Sequence, residues 1–229
     1  MSRLRRGGGR GREALLTKNL VPGKRVYNEE LVVLDGEEYR TWDPYRSKLA
    51  AAILKGLPDD VIREGQRVLY LGTSTGTTAS HISDLIGEGG LLIGVEVAHR
   101  VAREFVEKVA RHRKNVIPYV ADAREPGAYS TYGRVDVVYC DIAQQDQTEI
   151  AISNCRAHLR DGGTLLLVVK SRSIDVVREP RDVFREEVMK LEREGFRVKG
   201  VLELEPFDRD HALVHAVYRS GKTRQPEPE

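Results

Sequence analysis

Arg67-Val-Leu-Tyr-Leu-Gly72-Thr-Ser-Thr-Gly76-Thr77-Thr78, followed by Leu91-Leu-Ile-Gly-Val-Glu96, decides the fold. The first stretch reads as a buried strand, a turn of small residues and a helix start. The second reads as another strand that ends in an acid. That order is how an α/β domain cradles an adenosine-containing cofactor. Gly72 and Gly76 let the backbone turn sharply and approach a ligand closely. Thr77 and Thr78 open the helix, where free N–H groups and hydroxyls face a ligand. Glu96 can accept hydrogen bonds from both ribose hydroxyls, and Asp122, in Val120-Ala-Asp-Ala123, is placed to meet an adenine amino group. The spacing is not the dinucleotide G-x-G-x-x-G, which disfavours NAD, nor the P-loop pattern. Nucleoside cofactors without a pyrophosphate remain, with S-adenosyl-L-methionine foremost.

Working outward, strands are expected at Val68–Leu71, Leu91–Val95, Asn115–Val120, Val135–Cys140, Thr164–Val169, Arg197–Leu204 and His211–Tyr218. Helices are expected at Thr77–Ile86, His99–Arg113, Gln147–Leu159 and Asp182–Glu194. Such alternation implies a parallel sheet covered on both faces. The link from Glu205 to Asp210 is too short for a crossover helix, so the last two strands should be antiparallel. The expected fold is therefore α/β and Rossmann-like. It has a seven-stranded, mostly parallel sheet with one antiparallel strand.

Ahead of this sheet, strand signals run from about Leu20 to Trp42. Leu31–Leu34, Asp35-Gly36 and Glu37–Trp42 form a hairpin pattern, because Asp-Gly suits a primed turn. Pro44 ends the strand, and Ser47-Lys48-Leu-Ala-Ala-Ala-Ile-Leu54 starts a helix. A small N-terminal β domain with a linking helix is thus expected over 15–55, and the catalytic domain over 56–219. Residues 1–14, where Arg3, Arg5, Arg6, Arg10 and Arg12 stand among glycines, should be a disordered tail able to meet phosphates by charge alone. Residues 220–229 read as a loose end.

The chain has 229 residues, 40% of them hydrophobic and 31% charged, with a net charge of +2. That suits one sizeable globular domain with an appendage and excludes a broadly basic RNA-coating protein. No apolar stretch is long enough for a bilayer and no signal peptide opens the chain, so no membrane association is expected. Cys140 and Cys155 form no CxxC pair and read as buried, reduced packing residues, which points to the cytoplasm. No metal-ligand spacing appears.

Open α/β sheets bind ligands at the carboxyl ends of their strands. Asp141 and Gln144 follow one strand, Lys170 ends the next, and His211 opens an antiparallel strand whose start lies at that same edge. Lys48, on the helix before the main domain, can approach from beside it. This set suits proton removal from a weakly acidic hydroxyl next to a cationic methyl donor.

These residues closely resemble the fibrillarin family, in its archaeal RNA 2′-O-methyltransferase form. The runs that carry the resemblance are Trp42-Asp-Pro-Tyr-Arg-Ser-Lys48, Leu71-Gly-Thr-Ser-Thr-Gly-Thr-Thr-Ala-Ser-His81, Asp141-Ile-Ala-Gln-Gln-Asp-Gln147, Lys170-Ser-Arg-Ser-Ile-Asp175 and Glu205-Pro-Phe-Asp-Arg-Asp-His211. The resemblance implies a Lys-Asp-Lys-His catalytic set at Lys48, Asp141, Lys170 and His211. It implies cofactor contacts at Gly72, Thr77, Thr78, Glu96, Val97, Asp122, Ala123, Asp141, Ile142, Ala143 and Gln144. The implied activity is guided 2′-O-methylation of rRNA and tRNA. The implied partners are a box C/D guide RNA, its target RNA, a Nop-type scaffold protein and a kink-turn-binding, ribosomal-like protein. A methyltransferase for another acceptor, such as protein glutamine, and a non-catalytic subunit stay open as alternatives.

Overall fold

The protein is described by a computed structural model, which covers residues 4–9 and 12–219. Its first strands are β1 (Leu4–Gly9), β2 (Arg12–Lys18), β3 (Leu31–Leu34) and β4 (Glu37–Trp42), which make a four-stranded antiparallel sheet in the order β1-β2-β4-β3. Asp35 and Gly36 both have positive φ, 53° and 78°, as a primed turn between β3 and β4 requires.

The structure corrects the expectation of a disordered 1–14 tail. Where it is described, that segment pairs with the rest of the small sheet: Leu4 faces Thr17 and Gly9 faces Arg12. Two of its arginines are fixed by distant acids. Arg5 pairs with Asp35 at 2.8 Å and lies 5.0 Å over the Tyr39 ring, and Arg6 pairs with Asp59 at 2.7 Å. The glycines hid the strand because composition reports local entropy, whereas these partners are supplied by other parts of the chain. The strand signal expected from Leu20 begins instead at Leu31. Residues 220–229 lie outside the described residues.

Helix α1 (Lys48–Leu54) leads to β5 (Arg67–Leu71), α2 (Thr77–Ile86), β6 (Leu91–Glu96), α3 (His99–Lys108), β7 (Val116–Val120), β8 (Val135–Cys140), α4 (Gln147–His158), β9 (Leu159–Lys170), the short α5 (Ser171–Ile174), α6 (Pro180–Arg193), β10 (Phe196–Glu203) and β11 (His211–Tyr218). The seven-stranded sheet runs β10-β11-β9-β8-β5-β6-β7. Only β11 opposes its neighbours, as expected. Helix α3 is shorter than its apolar pattern, ending at Lys108 before a 3₁₀ turn over Ala110–His112.

Alternate residues of the central strands feed two separate cores. Val68, Tyr70, Val137 and Tyr139 pack with Leu49–Ile53 of α1, Ile82 of α2 and Phe105 of α3. Leu69, Leu71, Val138 and Cys140 pack with Ile150 and Cys155 of α4 and Phe184 of α6. Period-two alternation between two covered faces is what a parallel strand shows. Both thiols are buried and unpaired, and burial pushes that of Cys140 up to about 12. Among the described residues, no helix is long and apolar enough to cross a membrane.

The small sheet is joined to the large one by buried charge. Asp84, fully buried on α2, accepts Arg113 Nη1 at 2.6 Å, Arg40 Nε at 2.9 Å, Thr17 Oγ1 at 2.9 Å and the Leu20 N–H at 3.0 Å. Arg40 also donates to Glu29 at 2.5 Å and Ser80 Oγ at 2.8 Å. One turn N-terminal to Asp84, His81 stacks on Trp42 with ring centroids 4.8 Å apart. Its Nδ1 lies 2.7 Å from Thr17 Oγ1 and its Nε2 lies 2.6 Å from the Tyr27 hydroxyl. Thr17 spends its own proton on Asp84, so His81 Nδ1 donates to Thr17; with the ring neutral, Nε2 accepts from the Tyr27 hydroxyl, which also lies 3.1 Å from the Thr41 carbonyl. That is a neutral imidazole, and burial, with Arg40 and Arg113 nearby, holds its pKa well below 6.5.

Two outcomes follow from this joint. Arg40→Met leaves Glu29 and Asp84 short of a partner and should lower the unfolding free energy by about 3–5 kcal/mol in denaturant titration. His81 gives stability that is fully present above 6.5. As pH falls below that value the unfolded chain binds a proton the folded one refuses, so stability declines by up to about 1.4 kcal/mol per pH unit. Burial depresses His158 and His215 in the same direction. The contribution of His81 is therefore read as the flatter pH slope of His81→Gln against wild type.

Candidate active site

The turn after β5 is the first wall of the site. Gly72 has φ +83°, and a Cβ there would sit 2.8 Å from the Asp141 carbonyl oxygen and 3.0 Å from Ile142 Cγ2. The β5 turn and the loop after β8 therefore touch backbone to side chain, and only glycine fits. Gly76, at φ +99°, serves a different purpose from the expected ligand approach. A Cβ there would strike Val109 at 2.5 Å and Phe105 at 2.7 Å, so its glycine seats α2 against the α3 region. Ser74 between them adopts φ +51°, a strained value for a non-glycine residue, and its N–H donates to Glu96 Oε2 at 2.9 Å. The other Glu96 oxygen accepts the Ala98 N–H at 3.0 Å. The carboxylate is thereby fixed while each oxygen keeps a free lone pair.

A cavity of about 310 Å³ opens beside this turn. Gly72, Glu96, Val97, Asp122, Ala123, Asp141, Ile142, Ala143, Gln144 and Lys170 all line it, from five different strand ends. Val97 is a large apolar residue left 57% exposed, which makes sense as one face of a slot for a flat ring. Thr77 and Thr78 do not line this cavity. The Thr78 hydroxyl lies 2.9 Å from Ser47 Oγ and helps seat α1, and Thr77 borders a separate cavity with Tyr27, Asn28 and Arg46.

Two polar lining residues escaped the sequence reading. Ser74 was hidden inside the turn motif. Arg124 spans the mouth: it donates to Asp146 at 2.7 and 3.0 Å and to Gln144 Oε1 at 3.0 Å, and lies 3.7 Å from Asp122 Oδ2. Its partners sit on loops that sequence distance separates, so no local pattern marks it.

The second wall is a chain of charges. Lys170 Nζ lies 2.8 Å from Asp141 Oδ1 and donates to the Asp141 carbonyl at 3.0 Å. Lys48 Nζ lies 3.4 Å from Asp141 and 3.5 Å from Asp208 Oδ2. His211 Nδ1 lies 2.9 Å from Asp208 Oδ1. All four predicted residues are thus brought together, and Asp208 is the link that the sequence reading left among the flanking residues. Two ammonium groups face two carboxylates, so partly buried charges are matched. Burial raises the Asp208 carboxyl, but the His211 hydrogen bond and the charges of His211 and Lys48 outweigh it and leave its pKa below the ordinary carboxylate value.

Each member has a reason to be where it is. His211 pairs in register with Lys170, because β11 runs antiparallel to β9. The Lys170 N–H donates to Gln147 Oε1 at 3.0 Å, and Gln147 donates to the Gln144 carbonyl at 2.7 Å, so a buried glutamine locks the end of β9 to the loop after β8. Leu49–Ile53 of α1 are all buried, which leaves Lys48 at the helix start to reach the charges. A cation in a first turn is disfavoured by about 0.3–1 kcal/mol, so Lys48 stands there against helix stability.

A mostly parallel sheet with β11 reversed, carrying an acid-lined cavity at its carboxyl edge, defines a nucleoside-cofactor methyltransferase fold. The chain belongs to the fibrillarin family, whose family model matches residues 6–220. The fibrillarin-like rRNA/tRNA 2′-O-methyltransferase of Staphylothermus marinus is 52% identical over 210 residues, which cover 91% of this chain and 89% of that one. The corresponding enzyme of Aeropyrum pernix is 51% identical over 206 residues, 90% and 88% of the two chains. Among solved structures, the Methanococcus jannaschii fibrillarin pre-rRNA processing protein superposes with a TM-score of 0.89 at 38% identity, over 97% of this chain and all of that one. Aeropyrum pernix fibrillarin with natively bound S-adenosyl-L-methionine gives 0.83 at 46% identity, over 95% and 100%. The fibrillarin chain of a fibrillarin/Nop5p complex gives 0.80 at 39%, over 90% and 94%.

The packing role of Gly76 can be tested by stability. Gly76→Ala should cost about 1–3 kcal/mol of stability through its positive φ and its contact with Phe105. Its thermal midpoint should fall well below wild type, and retention of the wild-type midpoint would contradict the assignment.

Proposed function

We propose that this protein methylates the 2′-hydroxyl of ribose in rRNA and tRNA, with S-adenosyl-L-methionine as methyl donor. The observation that carries this is the position of Asp141. Its carboxylate holds both Lys48 and Lys170, while Asp141 and Lys170 also line the cavity bounded by Glu96 and Asp122. Methyl donor and proton acceptor are thereby addressed to one point. Support comes from the names of the Staphylothermus and Aeropyrum relatives and from the Aeropyrum structure with its natively bound cofactor.

The cavity fits the cofactor's adenosine half. Glu96 offers two fixed oxygens to the ribose hydroxyls, Asp122 an acceptor to the adenine amino group, and Val97 with Ile142 apolar faces to the ring. When bound, the cofactor supplies a methyl group that its sulfonium makes electrophilic. The chain must orient the attacking oxygen and take its proton. Lys170 Nζ is the proposed acceptor. Asp141 holds it 2.8 Å from its Oδ1 and fixes its direction. Lys48, held by Asp141 and Asp208, keeps a positive charge near the nucleophile. His211 holds Asp208 in place.

The partners belong to the same proposal. The fibrillarin/Nop5p complex supports a Nop-type scaffold. A box C/D guide RNA, its paired target and a kink-turn-binding protein complete the assembly. A net charge of +2 agrees with an enzyme carried to its RNA by others. A cytoplasmic location is part of the proposal, supported by the two buried, unpaired thiols.

Lys170→Ala decides the roles. In the assembled particle it should bind cofactor within a few-fold of wild type by calorimetry yet lose at least about a hundredfold in methyl transfer. Nucleoside analysis of the guided RNA should find the 2′-O-methyl mark only with the wild-type chain. Full activity in the variant would remove Lys170 as the base. Methylation of protein glutamine with unmodified RNA would overturn the proposed acceptor.

A further inference from the structure

The side chain of Arg124 runs from the loop after β7 to the loop after β8, and both loops line the cofactor cavity. Its Nε and Nη2 donate to the two Asp146 oxygens at 3.0 and 2.7 Å, a planar pair with two bonds. Nη2 also donates to Gln144 Oε1 at 3.0 Å. At its near end, the Arg124 N–H donates to Asp122 Oδ1 at 2.9 Å, and Nη1 lies 3.7 Å from Asp122 Oδ2. Asp122, Arg124 and Gln144 all line the cavity, so the guanidinium joins one of its walls to another.

Asp146 shows what this pairing displaces. It stands at the N-cap of α4, where a carboxylate ordinarily accepts the first free N–H groups of the helix. Here its side chain makes no cap hydrogen bond and turns to Arg124 instead. The two side chains are 43% and 45% exposed, and an ion pair so open to water adds little to folding. The helix start therefore loses a stabilising cap for a pair that stabilises the fold weakly. What the pair does supply is a bridge between two loops of the cavity. The Arg124 hydrogen bond holds the Asp146 carboxyl below its ordinary value, so the bridge is charged on both sides at neutral pH.

We propose that Arg124, held by Asp146, is a clasp that retains the cofactor, its flat guanidinium closing over the adenine ring. This rests on the S-adenosyl-L-methionine reading above. Asp122, the acceptor assigned to the adenine amino group, is the residue that Arg124 touches at its near end. A guanidinium is planar and stacks on aromatic faces, as an adenine presents. Asp122 and Asp146 balance its charge, so the clasp does not repel the cationic sulfonium of the same cofactor. Arg124 is thus a positioning residue. It holds the ring and takes no part in proton or methyl transfer.

The test follows tritiated S-adenosyl-L-methionine leaving the full chain after mixing with excess unlabelled cofactor. Arg124→Ala should speed release about tenfold. Arg124→Lys should not restore slow release, because lysine keeps the charge and loses the plane. Asp146→Asn keeps a residue suited to the N-cap and should speed release to a similar extent, with the double variant no faster than Arg124→Ala. Release from the wild type should quicken as salt is raised, whereas release from Arg124→Ala should not respond. If the wild type binds the cofactor but Arg124→Ala releases it at the wild-type rate, or Arg124→Lys restores slow release, the clasp is overturned. Additive effects of the Arg124 and Asp146 variants overturn it as well. Should Arg124→Ala fail to fold, as read by circular dichroism, Asp146→Asn decides, and wild-type release from it overturns the clasp. A wild-type chain that binds no S-adenosyl-L-methionine refutes the cofactor reading instead, and with it the basis of the clasp.

Discussion

The carboxylate of Asp84 is the point on which the two sheets depend. It sits on the buried face of α2 and collects donors from β2, β4, the segment after β2, and Arg113 beyond α3. Taking a carboxylate out of water costs several kcal/mol, and here four donors offset that cost. Apolar burial is non-directional, whereas these hydrogen bonds hold the small sheet in one orientation. Helix α2 also begins at the cofactor turn, and its Thr78 hydroxyl meets the Ser47 cap of α1. The orientation of Lys48 is therefore tied through one helix to the small sheet behind it.

At the carboxyl edge of the large sheet the local rules of stability are broken repeatedly. Lys48 stands at a helix start, Ser74 takes a left-handed backbone, and Val97 is exposed. Each departure faces the same edge. The rest of the fold holds them there: β5 and β8 are buried in the sheet, and Gln147 ties β9 to the loop beside Asp141. Two ammonium groups and two carboxylates then share a partly dry site without a net buried charge. That balance holds both lysines beside one carboxylate at the edge of the cofactor cavity.

Much of this was legible in the chain. Elements with strong periodicity were read to within a residue or two: the 31–42 hairpin, α1, α2, β8 and β11. Asp141, Lys170 and His211 were found by topology, because strand ends share an edge and β11 reverses, while Lys48 was placed beside them from the preceding helix. What escaped was held by distant partners. Arg5 and Arg6 lie in a glycine-rich run whose acids come from residues 35 and 59. Asp208 acquires its role only when Lys48 and His211 arrive on either side of it. Arg124 reaches acids on two loops. Thr77 and Thr78 matched a pattern, but the side chains turned toward other neighbours.

The sequence by itself determined the strand–turn–helix beginning at Arg67, the glycine that its turn demands, the acids at successive strand ends and the reversal of β11. These follow from short-range sterics and from the period of apolar residues, and both are written locally. Tertiary structure alone decided that the N-terminal glycine-rich run is a strand, that Gly76 serves packing, and that Asp208 joins the two lysines to His211. Those outcomes depend on groups far apart in the chain meeting at a few ångströms, and no local window contains both partners.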